Sequence, residues 1–296
     1  MDYCLISTAY NKNVRIYVAS TTNLVEKARK IHDTWPTASA ALGRFLTISL
    51  MMGLMYKDDE RLTIKLDGDG PLGFILADVS GKGTIRADIE NPHVYLKYDE
   101  GPKKGKLNVS AAVGKGYLTI TKDLNMKNYF TSSVEIVSGE IAEDFNYYFF
   151  TSEQTPSSVA AGVLVNTDQS ILASGGFIIQ ALPNCDESAI ISIEEILKNI
   201  EPISKMIHEN KTPEDILHIL SNGTEEILDK RELKYHCSCS KKKFEKALFS
   251  LETSVLDEMI KEDKKAEIVC NFCHKKYFFD ESQLINLRNK KKSLPK

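Results

Sequence analysis

The apolar positions of this chain change their period several times, and each change marks an expected element. Between residues 2 and 19, Cys4, Ile6 and Thr8 alternate with their neighbours, and Val14, Ile16 and Val18 share one face beyond Asn11-Lys12-Asn13. A period of two interrupted by a polar triplet predicts two strands and a tight turn. Thr22 is then placed to cap a helix running to about His32, and Pro36 halts the chain before a second helix, Thr37 to Met55. That helix is apolar on most sides, so it is expected inside the protein. Its longest apolar stretch, Phe45 to Tyr56, spans only twelve residues, short of the roughly 18 to 20 that cross a bilayer.

From Arg61 to Leu182 strands dominate. Residues 62–66, 74–79, 84–89, 117–120 and 133–137 are rich in β-branched and aromatic side chains between glycine turns. One more helix is expected between Glu140 and Phe150, and Gly162–Val165 and Ile171–Ala181 complete an α+β domain over residues 1–182. Pro183-Asn184-Cys185-Asp186 marks its edge. Beyond it Ile193, Ile196, Leu197, Ile200, Ile203, Met206 and Ile207 recur at three and four residues, a helical stripe that Pro202 kinks or divides. Thr212-Pro213-Glu214-Asp215 carries a cap, a first-turn proline and two acids, and starts a helix that Gly223 ends. This helical linker, residues 183–231, has one oily face and too little bulk for a core of its own, so it must lean on the first domain.

The last segment, residues 232–296, holds two short helical stripes (Phe244, Leu248 and Leu251, then Val255, Leu256, Met259 and Ile260) and an aromatic triplet, Tyr277-Phe278-Phe279. A unit this small seldom folds on its core alone. It also holds four of the six cysteines, as Cys237-Ser238-Cys239 and, thirty residues on, Cys270-Asn271-Phe272-Cys273. Thiolates so clustered can close a tetrahedron on one Zn²⁺. The first pair is tighter than the usual C-x2-4-C, and a disulfide within it would depart from relaxed geometry and reduce more easily. Each pair can be read as metal ligands when reduced and as a neighbouring disulfide when oxidised.

Cys-Ser-Cys and Cys-Asn-Phe-Cys at this distance resemble the thirty-three-kilodalton heat-shock protein family of redox-regulated holdase chaperones. The likeness extends along the chain through Thr34-Trp35-Pro36-Thr37-Ala38-Ser39-Ala40-Ala41-Leu42-Gly43-Arg44, Val134-Glu135-Ile136-Val137-Ser138-Gly139-Glu140, Ser152-Glu153-Gln154-Thr155-Pro156-Ser157-Ser158-Val159 and Gly175-Gly176-Phe177-Ile178-Ile179-Gln180. The resemblance implies one zinc ion held by Cys237, Cys239, Cys270 and Cys273 in the reduced, inactive form, and Cys237–Cys239 and Cys270–Cys273 disulfides in the oxidised, active one. It also implies a homodimer when active, clients that are unfolding proteins, and no ATP cycle. The chemistry of the residues agrees. Sulfurs that pair with each other no longer ligate, and structural zinc supplies on the order of 10 to 16 kcal/mol of apparent folding free energy. Oxidation is therefore expected to unfold the last segment and uncover apolar surface for clients.

Charge and the remaining motifs narrow the alternatives. A net charge of -3 with signs interspersed predicts no general affinity for nucleic acid, and the basic tail Asn289–Lys296 reads as a solvated end. No basic, apolar leader opens the chain, so a cytosolic location is expected, away from membranes. Gly68-Asp69-Gly70-Pro71-Leu72-Gly73 fits a dinucleotide-loop pattern, but its acids and proline oppose a pyrophosphate and a strand follows, which leaves a turn. No P-loop occurs, so no nucleotide is expected. Cys270-Asn271-Phe272-Cys273-His274 also fits covalent haem attachment, which ignores the upstream pair. His236 and His274 adjoin ligand cysteines and read as tuning groups or as solvent-facing side chains; Cys4 reads as a buried thiol, and Cys185 as an incidental one. Two rival functions stand beside the chaperone, which is not an enzyme. One is a structural zinc module reading nucleic acid through Lys241, Lys242, Lys243, Lys275 and Lys276, and the other is a thiol oxidoreductase using Cys270 and Cys273.

Overall fold

The N-terminal strands form a hairpin, β1 (Tyr3–Ala9) and β2 (Val14–Ser20), paired residue for residue from Tyr3 and Ser20 to Ala9 and Val14. In the computed structural model, which describes residues 1–292, α1 (Thr22–His32) and α2 (Pro36–Gly53) follow. Thr22 is the first helical residue and does not cap α1: its hydroxyl accepts from Ser174 N (3.0 Å), tying the helix to the sheet. Next come β3 (Arg61–Gly68), β4 (Phe74–Ser80), β5 (Thr84–Ile89), a short α3 (Val109–Val113), β6 (Gly116–Asp123), β7 (Phe130–Glu135), α4 (Ala142–Thr151), β8 (Ser157–Val165) and β9 (Ile171–Ala181). Residues 68–73 make the turn between β3 and β4. Pro202 separates α5 (Glu187–Asn199) from α6 (Ile203–His208), and α7 (Pro213–Ser221) starts at a Thr212 cap whose hydroxyl accepts from Asp215 N.

Two elements were not legible as periodicity. Residues Glu226–Glu232 form β10, an edge strand antiparallel to β1, and Lys234–Tyr235 form β11, parallel to β5. The side chains of β10 are largely charged and exposed, so edge pairing rather than burial makes that strand, whereas β11 is held by the buried Tyr235. The unit before Cys237 thus has two sheets: β10-β1-β2-β9-β8, and β11-β5-β4-β3-β6-β7.

Helix α2 lies between these sheets, touching β8 and β9 of one and β3, β4 and β5 of the other. Every residue of α2 except Pro36 and Arg44 is buried. The opposite face of the first sheet is also apolar. Ile16, Val18, Phe177 and Ile179 pack there with Ile203 and Met206 of α6, Ile216, Leu217 and Leu220 of α7, and Ile193 of α5. The linker helices therefore do lean on the first domain, on the face away from α2. Glycine makes the approach close: a Cβ at Gly162 would stand 2.9 Å from Ile203 Cγ2 and 3.0 Å from Ser204 Oγ.

Contacts divide the chain into Met1–His236 and a second unit starting at Cys237. The second unit contains α8 (Lys241–Ser250), α9 (Thr253–Glu262), the hairpin β12 (Lys265–Val269) and β13 (Lys276–Asp280), and α10 (Glu281–Lys292). Leu248, Ala266, Phe279, Leu284 and Leu287 form its core cluster, with Phe244, Phe249, Met259, Ile260, Ile268 and Tyr277 partly buried against it, and Leu256 is buried as well. The expected basic tail falls partly in α10, and residues 293–296 lie outside the described residues. Among the described residues no helix is long and apolar enough to cross a membrane.

Replacing Gly162 by valine should push α6 off β8 at a cost of roughly 1–3 kcal/mol, the usual penalty for overpacking. Amide exchange should accelerate in α6 while the β1–β2 hairpin stays protected; unchanged exchange in α6 would contradict the close approach.

Candidate metal centre

The four clustered cysteines arrive from two local structures. Cys237 and Cys239 lie in the extended segment before α8, whose first turn is capped by Ser240 accepting from Lys243 N at 3.3 Å. Cys270 and Cys273 lie in the β12–β13 turn. There Cys270 N donates to Lys275 O (3.0 Å), and the Cys270 carbonyl accepts from Cys273 N (3.2 Å) and His274 N (2.7 Å), with His274 in the left-handed region at φ 55°. The turn folds its own amides inward and points both sulfurs one way.

All four Sγ atoms lie within 4.8 Å of one another. Cys237 and Cys270 approach to 3.8 Å, and Cys239 and Cys273 to 3.3 Å. Tetrahedral zinc with Zn–S near 2.3 Å spaces its sulfurs by roughly 3.8 Å, so the group has the size of a Cys4 site. None is joined, since every cysteine is a free thiol. The group contains neither His236 nor His274, and Cys4, fully buried with its thiol pushed up by desolvation, belongs to the first unit with half-buried Cys185.

The sulfurs differ in acidity. Burial opposes ionisation at Cys239, but hydrogen bonds from Tyr277 and from the other three thiols outweigh it, and its pKa falls to about 7. Tyr277 Oη stands 3.1 Å from Cys239 Sγ, and the phenol's own pKa rises to about 12, so it remains the donor. Burial raises Cys270, and it raises Cys273 to about 12, where the neighbouring thiols add to the effect. Without a cation the cluster holds one thiolate comfortably, and a second negative charge beside it is opposed. A divalent metal removes that conflict by neutralising the sulfurs together. Tyr277, stacked on Phe244 with centroids 4.9 Å apart, was not foreseen as part of the site; an aromatic four residues past a ligand carries no signal until the hairpin folds it back.

The Hsp33 protein family profile matches residues 2–280. The 33 kDa chaperonin of Acholeplasma laidlawii is 53% identical over 97% of this chain and 98% of its own length. That of Bacillus subtilis is 49% identical over 98% and 99%. In structure, the 33 kDa chaperonin of Thermotoga maritima, a heat shock protein 33 homolog, matches with a TM-score of 0.90 and 34% identity, covering 99% of each chain.

The acidity pattern is open to test in metal-free, reduced protein. Alkylation of Cys239 should reach half its maximal rate near pH 7, and Tyr277→Phe, which removes the hydrogen bond favouring the thiolate, should move that midpoint upward. A midpoint unmoved by the substitution would remove Tyr277 from the site.

Proposed function

The chain belongs to the Hsp33 family, chaperones and not enzymes, and from that premise we propose that it is an ATP-independent holdase switched on by oxidation. The observation that carries the reading is four sulfurs within 4.8 Å of one another in a small second unit whose buried apolar side chains, Cys270 aside, are Leu248, Leu256, Ala266, Phe279, Leu284 and Leu287 among the described residues. Such a core cannot outweigh the entropy of ordering the unit, whereas structural zinc adds on the order of 10 to 16 kcal/mol. In this reading Cys237, Cys239, Cys270 and Cys273 hold one Zn²⁺ in the reduced form, and the metal contributes charge neutralisation and cross-linking of α8 to the β12–β13 turn.

Peroxide then takes a thiolate to a sulfenic acid with loss of hydroxide, and a neighbouring thiol displaces water to form the disulfide. Within each short segment the partner is close at any degree of unfolding, which favours Cys237–Cys239 and Cys270–Cys273. With the ligands consumed the ion leaves and residues 232–296 lose their order. The linker, residues 183–231, is released in turn, and β10 peels from the edge of the first sheet. Release uncovers Ile16, Val18, Phe177 and Ile179 on the sheet and the stripe of Ile193, Ile203 and Met206 on the linker. An apolar patch of that kind binds the apolar surface of unfolding proteins, and it would also support the self-association of a homodimer. The compartment is the cytosol, where oxidation is the exception.

Zinc release, free thiols and light scattering of a heat-denatured client, followed together as peroxide is added at elevated temperature, should change in step. Four thiols and one zinc should be lost per chain as scattering is suppressed, without turnover. Serine at all four cysteine positions should leave residues beyond 236 unfolded and give suppression without oxidant; a variant that stays compact and inert would sink the proposal. Salt-dependent DNA binding by peroxide-insensitive zinc would favour a nucleic-acid module instead.

A further inference from the structure

The redox reading leaves unused a cavity of about 620 Å³ in the first unit, walled by α2, residues 95–107, the end of β8 and α6. Its charge is one-sided. Arg44, Lys97, Lys103 and Lys106 line it against a single acid, Glu140, in a chain whose net charge is -3. Asp99 and Glu100, in the same loop as the lysines, do not line it.

The loop is an organised support. Lys97 and Leu107 pair as an isolated bridge, and Tyr98 N and Gly105 N close it on Lys106 O and Tyr98 O at 2.9 and 2.8 Å. Glu140 accepts from Arg44 Nη1 (2.7 Å), Lys103 Nζ (2.8 Å) and Tyr98 Oη (3.0 Å), so its charge is fully used. It is presented by a strained turn: Ile141, next in the chain, sits at φ 72°, held there by the buried Asp144 carboxylate, which accepts from the amides of residues 137, 138, 139 and 141. Lys97 and Lys106 make no ion pair among the described residues, and the Lys97 ammonium stands 5.0 Å over the Tyr95 ring, which leaves its charge without an anion. An excess of positive groups lining one cavity favours an occupant that carries negative charge. Ala40, Leu107 and Val163 add an apolar wall.

We propose that this cavity binds a small organic phosphate, a dianion with an apolar body. The phosphoryl oxygens accept from Arg44, Lys97 and Lys106, and the body lies against the apolar wall. A dianion matches the lining better than a monocarboxylate, since four cations and one acid leave an excess of three. Ser204 of α6 also lines the cavity, so an occupant touches the linker and the α2 side together, and its binding energy favours the form in which α6 is packed. Two of the segments that resemble the heat-shock family end at this pair, Arg44 and Glu140, although neither residue has a part in the cysteine chemistry.

The test uses the reduced, zinc-loaded full-length protein and is independent of chaperone activity. Phenyl phosphate, inorganic phosphate and phenol are titrated calorimetrically, with amide exchange read in parallel. Phenyl phosphate should bind once per chain with a dissociation constant under about 1 mM. It should bind more tightly than inorganic phosphate, weaken with added salt, and protect residues 95–107 and α6, while phenol gives no binding. Lys97→Ala with Lys106→Ala removes two solvent-reaching side chains that hold no ion pair, so the fold should survive and affinity should fall roughly tenfold. No saturable binding of phenyl phosphate, protection elsewhere in the chain, or affinity unchanged in the double variant would each overturn the proposal.

Discussion

The first sheet of this protein is apolar on both faces, and everything else in the first unit answers that fact. Along β2, Tyr17 and Ala19 belong to the cluster around α2, while Val14, Ile16 and Val18 belong to the cluster under the linker helices. Along β9 the same split places Ile178 on one side and Phe177 and Ile179 on the other. A sheet buried on both faces needs two covers. Here the covers differ in kind. Helix α2 is enclosed by two sheets and has no exposed face to release, whereas α5, α6 and α7 rest on one side only, with Ile190, Ile191 and Ile219 exposed.

Besides this apolar packing, the outer cover has polar fastenings. Tyr3 donates to Glu214, Lys230 bonds the same carboxylate at 2.9 Å, and that ammonium stands 3.8 Å over the Tyr3 ring. This clasp is partly exposed, and ion pairs at exposed positions contribute about 0 to 1 kcal/mol. The firmer anchor is farther along the chain. Tyr235 is buried, its hydroxyl bonds Ala87 N and O and the His32 ring at 3.0 to 3.1 Å, and Lys27 reaches its carbonyl. Cys237 follows two residues later. The segment from the linker to the first sulfur is therefore a strand on each sheet in succession.

Much of this was readable from residue order because the signals are local. The hairpin turn, the internal helix 37–55, the division at Pro202 and the Thr212 cap each rest on spacing within one or two turns of chain. The cysteine pairs are legible for a similar reason: C-x-C and C-x-x-C bring their own sulfurs together whatever the rest does. By contrast β10 and β11 exist through hydrogen bonds to strands more than 140 residues away, and the β12–β13 hairpin has no clean alternation, since Lys265–Val269 and Lys276–Asp280 mix charged and apolar residues and pair only across the Cys270–Cys273 turn. Thr22 looked like a cap and is instead a tether, since Ser174 offers it a better partner.

Residue order alone determined which side chains are apolar, where helices start and stop, and that four sulfurs stand near enough in the chain to share an ion. Tertiary structure decided which face of the first sheet lies against α2 and which against the linker helices, that Tyr277 leans on Cys239, and that Arg44 and Glu140, 96 residues apart, meet in one cavity. The physical reason is range. Periodicity and capping act over a few residues of backbone, whereas acidity, enclosure and unpaired charge are properties of whatever the folded chain happens to bring alongside.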